Sequence, residues 1–280
     1  MPATNLTPYP TRTGRMQRDD IMNVLTVNIE REASPHSRRR FVAVAALVFL
    51  AGVIVTCAIH TSMSSMSELP MPGGWMLSPT FTPMCGRTWL RTATAFVGMW
   101  IAMMTAMMLP SFAPLLWRYR AMLDGAGTRL SWSMAAGYAF IWTMTGIAAF
   151  ALVAILTEFV MRAPAIARCV PFASGAVVSL AGVAQCSQWH ATLLARCTHC
   201  RHMRAEWLDG VRHGLHCVSC CAGLTAALFV FGVMDLRAMA LVTLAITAER
   251  LLPSFRRVPQ VIGIVLVLLG LMIIAGSSRL

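Results

Sequence analysis

Residues 41–60 read FVAVAALVFLAGVIVTCAIH and contain no Asp, Glu, Lys or Arg. A helix needs about 20 mostly apolar residues to cross a bilayer, so this run has the length and composition of a transmembrane span. Comparable runs recur along the chain and predict about seven spans, roughly at 41–60, 93–116, 133–157, 169–186, 214–234, 236–251 and 259–277. In lipid, a helix satisfies its backbone hydrogen bonds within its own segment. We therefore predict an all-α fold, a polytopic transmembrane helical bundle.

The composition supports the same class of protein. The 280 residues are 57% hydrophobic and only 12% charged, whereas soluble globular domains are about one quarter charged. The formal net charge is +12, and the basic residues, all arginine, lie mainly in short segments between the apolar runs. Nucleic-acid-binding proteins usually concentrate such charge on one folded face. The positions of the arginines therefore reflect the topology of the chain in the membrane, and we expect no nucleic-acid partner.

The distribution of arginine predicts the orientation in the membrane. Arginine is more frequent in alternate connecting segments, beginning with residues 1–40, which contain seven. The positive-inside rule therefore places the amino terminus in the cytoplasm. The first apolar run is too long for the core of a signal peptide, so we predict an uncleaved first span. Residues 1–40 are interpreted as a polar, disordered cytoplasmic tail, and residues 41–280 as the transmembrane domain.

A cluster of cysteine and histidine marks the start of the fifth predicted span, where residues 213–221 read HGLHCVSCC. On a helix, five side chains of this stretch share one face, because they are separated by whole turns. They are His213, His216, Cys217, Cys220 and Cys221. Thiolates and imidazoles are ligands of transition metals, and soft sulfur ligands favour copper(I) or zinc. This face therefore predicts a metal site at a membrane boundary.

The segment before this span, residues 185–212, adds a second group of ligand-type residues, which we expect to lie in a cytoplasmic loop. Cys197 and Cys200 form one C-x-x-C pair, and Cys217 and Cys220 form another after sixteen intervening residues. Such pairs resemble the spacing of four-thiolate zinc sites, and His213 or His216 can replace a cysteine in a mixed site. Thiols on the cytoplasmic side stay reduced and available for metals. Cys197 and Cys200 are therefore predicted to complete the site.

Two other functions fit the same cysteines. A membrane thiol-disulfide oxidoreductase would cycle them between dithiol and disulfide. A structural or assembly protein would use them only for packing, because free cysteine behaves as a small buried hydrophobe. We find no phosphate loop, nucleophile elbow or dinucleotide fingerprint, so turnover of an organic substrate is not expected. The partners that the sequence predicts are the lipid bilayer and a metal ion, and it names no protein partner.

Methionine provides a further indication of copper. The second span contains five methionines between Met99 and Met108, which either line a route for copper(I) or fill gaps in the core. His60, Met63 and Met66, at the predicted outer face, have the ligand types for capture of copper(I) there.

Two further features of the predicted spans have alternative interpretations. Glu249 ends the sixth span and precedes Arg250, so it is either a functional ionisable group or the partner of that arginine in an ion pair. A disulfide between Cys85 and Cys169 at the outer face is one alternative, and two unpaired cysteines are the other.

An ordered set of motifs covers about residues 93–275. The motifs are W-x-x-M-M-x-A-M-M-L-P-S at 100–111, R-H-G-L-x-C-x-x-C-C at 212–221, G-V-M at 232–234 and E-R-L-L-P at 249–253. This set resembles the bacterial domain of unknown function family 2182, whose members are described as predicted metal-binding integral membrane proteins. The resemblance implies a multi-pass protein of the bacterial inner membrane. It also implies a metal site that uses His213, Cys217, Cys220 and Cys221, with Glu249 as the acidic position.

Some positions differ from the family pattern. Arg250 stands where the family is expected to have lysine, and His190 and His216 stand where a lysine and an apolar or aromatic residue are expected. Taken together, the residues and the resemblance predict binding, trafficking or homeostasis of copper(I) or zinc. Copper(I) is preferred because methionine-rich segments occur in the same chain. His213 is expected to act as a ligand or to orient one.

Overall fold

The computed structural model describes residues 35–63, 69–70, 76–77, 88–121, 127–198, 206–233, 235–251 and 257–277. Within these residues the chain forms eight helices: α1 (Pro35–Met63), α2 (Trp89–Ala121), α3 (Gly127–Arg162), α4 (Pro164–Gln185), α5 (Gln188–Thr198), α6 (Glu206–Phe231), α7 (Leu236–Leu251) and α8 (Val258–Ser277). A hairpin of two-residue strands, β1 (Leu69–Pro70) and β2 (Met76–Leu77), lies between α1 and α2.

The helical membrane fold follows from the apolar runs. Six helices, α1, α2, α3, α4, α6 and α8, are long and apolar enough to cross a membrane. Helix α7 has 16 residues and is shorter than a typical span. The all-α prediction is confirmed, and the prediction of about seven spans is roughly consistent with these helices.

Several boundaries differ from those expected. Helix α1 begins at Pro35, inside the segment interpreted as a tail, and α6 begins at Glu206, ahead of the apolar run that starts at residue 214. The expectation that residues 185–212 form a loop is wrong for its first part, which forms α5. Among the side chains of α5 that are described, at 188–195, His190 and Leu193 are buried. An 11-residue helix with few apolar residues produces little hydrophobic periodicity, so the apolar pattern does not predict it.

Helices α2 and α6 lie at the centre of the bundle. Helix α2 contacts α1, α3 and α7, while α6 contacts α3, α4, α5 and α7. The indole of Trp100 on α2 is fully buried and donates from Nε1 to the Trp142 carbonyl oxygen of α3 at 3.0 Å. Gly146 of α3 provides the space for this indole, because a Cβ atom there would overlap the ring. The position of α2 against α3 is therefore fixed by a specific contact.

Helices α4 and α8 pack through small residues, as membrane helices commonly do. A Cβ atom added at Gly182 would lie 2.5 Å from the carbonyl oxygen of Gly263, and one added at Gly270 would lie 2.6 Å from that of Gly175. Such distances leave room only for hydrogen at these positions. The close approach of the two backbones fixes α4, which ends at Gln185 beside the polar residues described below.

Candidate metal site

A pair of buried thiols lies on α6, near the middle of the bundle. Cys217 is 0% exposed and Cys221 is 2% exposed. Because they are four residues apart on a helix, they project from the same face. The five-residue face predicted from the sequence does lie on one helix, and this pair forms its most enclosed part.

Arg250, in the last turn of α7, contacts both thiols. Its Nη2 donates to Cys217 Sγ at 2.9 Å and to Cys221 Sγ at 3.2 Å, while Nη1 donates to Ser111 Oγ at 3.2 Å. The arginine is only 8% exposed. A buried guanidinium is costly unless a negative charge lies beside it. The guanidinium therefore favours negative charge on the two sulfur atoms.

Two further helices contact the first of these thiols. Tyr138 of α3 places its Oη 3.0 Å from Cys217 Sγ, and Met108 of α2 places its Sδ 4.0 Å from the same sulfur. Sulfur atoms at this separation can both reach one ion, since metal–thiolate bonds are about 2.3 Å long for zinc. Four helices thus meet around Cys217, and three sulfur atoms lie close together.

His213 belongs to an aromatic group that supports the tyrosine. It lies one turn before Cys217, and its ring centroid is 5.7 Å from that of Phe112 and 5.8 Å from that of Tyr138. Phe112 and Tyr138 are themselves stacked, with centroids 4.2 Å apart. The described contacts of His213 thus place it against the tyrosine that contacts the thiol, and its role as a ligand or as the residue that orients one stays a prediction.

A second buried polar cluster lies beside the thiols. Gln185 Nε2 donates to Glu249 Oε1, and His190 Nε2 lies 3.5 Å from Glu249 Oε2. The suggested ion pair between Glu249 and Arg250 is wrong for this structure, because adjacent residues on a helix do not face each other. Glu249 points towards α4 and α5, whereas Arg250 points towards α2 and α6. The consecutive residues Glu249 and Arg250 therefore belong to two different polar clusters, one with Gln185 and His190 and one with the thiols.

The structure describes the side chains of only some of the other predicted ligands. Cys220 is buried and His216 is half-buried, both on α6. Cys197 lies on α5, but its side chain is outside the described part of the structure, and Cys200 lies outside it entirely. Among the residues that are described, no group of three or more His, Cys, Asp or Glu side chains is arranged to hold a metal ion. The structure thus brings together Cys217 and Cys221 from the predicted set.

Two predictions for the outer face lie partly beyond the described residues. Met66 and the side chain of Met63 fall outside them, so capture of copper there remains a prediction. Cys169 is exposed and free, while Cys85 is outside the described residues, so the disulfide also stays a prediction.

Arg250, Tyr138 and Met108 were not assigned to the metal site from the sequence. Two features of the sequence could have indicated them: the charge of Arg250 within a predicted span and the methionine-rich stretch of the second span. Neither feature shows which side chains contact one another in the folded protein. Those contacts depend on the packing of α2, α3 and α7 against α6.

The fold and this site define a multi-span helical protein with a buried dithiol paired with a guanidinium. The profile of a family described as copper chaperone, PpoB2, matches residues 97–273, which include all the residues of the site. The chain therefore belongs to the PpoB2 copper chaperone family. Searches among curated proteins and among solved structures found no match.

Proposed function

We propose that the protein carries copper(I) as cargo, bound by the thiolates of Cys217 and Cys221. The observation that carries this proposal is the contact of Arg250 with both sulfur atoms, beside the thioether of Met108. Thiolates and thioethers are the soft ligands that select copper(I). Membership of a copper chaperone family supports the same metal.

The ligand set favours copper(I) over zinc. Structural zinc is almost always bound by four ligands in a tetrahedron. The described contacts join two thiols through Arg250 and place one thioether against the first of them. Carboxylate and imidazole side chains lie nearby, but Glu249 is engaged by Gln185 and His190. We therefore assign Met108 as the third ligand and His213 as the residue that orients Tyr138. Cys220 and His216 are left outside this ligand set, and completion of the site by Cys197 and Cys200 stays a prediction.

The charge of the site supports binding of a monovalent ion. Copper(I) bound by two thiolates carries a single negative charge, which the guanidinium of Arg250 neutralises. A neutral group is far less costly than an ion inside a membrane. Met108 adds a ligand without adding charge, and a neutral thioether is a suitable third ligand for an ion that has to be released to a recipient.

We also propose the location of the protein and its family relationship. The resemblance to domain of unknown function family 2182 covers residues 93–275, nearly the range of the copper chaperone match, so we infer that both concern the same motifs.

In a bacterial inner membrane with a cytoplasmic amino terminus, alternation of the spans places the ends of α2 and α7 towards the cytoplasm. The site would therefore load or release copper nearer that face.

The helix geometry disfavours a disulfide between Cys217 and Cys221, which is one of the bridges that an oxidoreductase could use. Cβ atoms four residues apart on a helix are about 5–6 Å apart, whereas a disulfide requires about 3.5–4.5 Å. Cys217 and Cys221 lie inside the continuous helix α6, so a bridge between them would need the helix to distort. Metal binding needs no such change.

The proposal is tested by loading the purified protein anaerobically with copper(I) or with zinc and measuring bound metal by elemental mass spectrometry. We expect close to one copper per chain that survives desalting, and much less zinc. The Cys217/Cys220/Cys221→Ser variant should retain its helix content and lose the copper. Absence of copper from the intact chain, or an equal amount in the serine variant, would overturn the proposal.

Replacing Met108 by leucine should weaken copper(I) binding without disturbing the fold. The two side chains have similar volumes, and such exchanges are usually tolerated in a core. We expect the affinity for copper(I), measured by competition with a chromophoric chelator, to fall about tenfold, at the lower end of the range for changes around a metal. Met104→Leu is the matched control, since Met104 is equally buried one turn earlier on α2. Equal affinities of the two variants would exclude Met108 as a ligand.

A further inference from the structure

We propose that an anionic phospholipid binds between α1, α2 and α3, with its headgroup at Arg40 and Arg120 and an acyl chain reaching the side chains beside the thiols. This site is independent of copper, because it rests on a cavity and on charges outside the dithiol.

The cavity has a volume of about 450 Å³. Its wall consists almost entirely of apolar side chains from three helices, such as Val44 of α1, Ile101 of α2 and Trp142 of α3. Ordered water needs several polar partners, and apart from the two arginines this surface offers few, among them Thr105 and Ser131. A hydrocarbon chain is therefore the chemically suitable filling.

Positive charge lies at one end of this cavity. Arg40 and Arg120 both line it, at the start of the apolar part of α1 and in the last turn of α2. The rings of Phe41 and Trp117, with centroids 5.3 Å apart, bring these helix ends together. No ion pair to a carboxylate is described for either arginine in the residues that the structure covers. Their guanidinium groups are therefore suited to a phosphate, which arginine binds with paired hydrogen bonds.

The neighbouring charges strengthen the preference for an anionic lipid. Arg38 and Arg39 precede Arg40 and are exposed, which produces a basic cluster where a membrane helix begins. Such clusters recognise the anionic lipids of the cytoplasmic leaflet. The predicted topology places this end of α1 at that leaflet. A zwitterionic headgroup would gain much less from these charges.

The cavity also reaches the candidate metal site. Met108 and Tyr138 line it, and both also contact Cys217. An acyl chain in this position would cover these two side chains next to the sulfur. The lipid would thus limit access of water to the dithiol from the side of α1.

The test compares phosphatidylglycerol with phosphatidylcholine by native mass spectrometry of the detergent-purified full chain. We expect phosphatidylglycerol to bind roughly 30-fold more tightly than phosphatidylcholine. Arg40 and Arg120 would each contribute about 1 kcal/mol towards binding of the anionic headgroup. The Arg40→Gln/Arg120→Gln variant should lose most of this preference, and only the part due to Arg38 and Arg39 should remain. Arg91→Gln is the control, because Arg91 is an exposed arginine at the other end of α2. Glycerol phosphate alone should compete poorly, because the headgroup lacks the chain that fills the cavity.

A second variant tests the cavity without changing charge. Ala135→Phe, which fills part of the lining, should reduce retention of phosphatidylglycerol while the helix content stays constant. Equal binding of the two lipids would overturn the proposal. A preference of undiminished size in the double arginine variant would also overturn it, as would tighter binding of a quinone than of phosphatidylglycerol.

Discussion

Replacing both Cys217 and Cys221 by serine is expected to lower the affinity for copper(I) by more than about 100-fold, beyond the range for residues that only support a metal ligand. A serine hydroxyl is a hard oxygen donor and a poor ligand for copper(I). Serine retains the size of cysteine and can accept the hydrogen bonds of Arg250, so the bundle should still fold. The affinity is measured anaerobically by competition with a chromophoric chelator, alongside the helix content by circular dichroism.

Cys220→Ser is the matched control for this loss. Cys220 lies on the same helix and is 3% exposed, so its replacement has a similar effect on packing. We expect this variant to retain copper, because the contacts of Arg250 join Cys217 and Cys221. An equal loss in the Cys220→Ser variant would show that the ligand set is different from the one proposed.

Replacing Arg250 by glutamine should also weaken copper(I) binding strongly, by about 10-fold to 100-fold. Glutamine keeps a hydrogen-bond donor but removes the charge that balances the two thiolates. Arg250→Lys keeps the charge and loses the paired donation from the planar guanidinium, so we expect an intermediate affinity. The same chelator competition measures the copper(I) affinity of the unaltered protein, of Arg250→Gln and of Arg250→Lys.

Arg237→Gln controls for a general effect of charge on this helix. Arg237 is exposed in the first turn of α7, remote along the helix from the thiols, and its replacement should leave the affinity unchanged. If the Arg250→Lys variant binds copper no more tightly than the Arg250→Gln variant, the guanidinium acts through its geometry alone. If the glutamine variant binds as tightly as the unaltered protein, the proposed charge balance is wrong.

The sequence was sufficient to predict the class of fold because each span is a local property. An apolar run of about 20 residues has few alternatives to a helix in lipid, and the run at 236–251 coincides with α7. The helix α5 was missed because its apolar signal is weak. The early start of α6 was missed because hydrophobicity marks the part of a helix inside the bilayer and does not mark where its backbone hydrogen bonds begin.

The candidate site was only partly predictable, for a different physical reason. Cys217 and Cys221 share a face through helical spacing alone, so sequence reasoning finds them. Met108 and Tyr138 reach Cys217 from positions 109 and 79 residues away, and Arg250 from 33 residues away. Such contacts depend on which helices are neighbours, and one sequence carries no direct record of that packing.

X-ray absorption spectroscopy at the copper edge of the anaerobically loaded protein tests the central claim most directly. We expect an edge typical of copper(I) and a coordination shell made of sulfur, with two short bonds to Cys217 and Cys221 and a weaker contribution from Met108 that disappears in Met108→Leu. A shell that contains nitrogen from imidazole, or one that is unchanged when both cysteines are replaced by serine, would contradict the account.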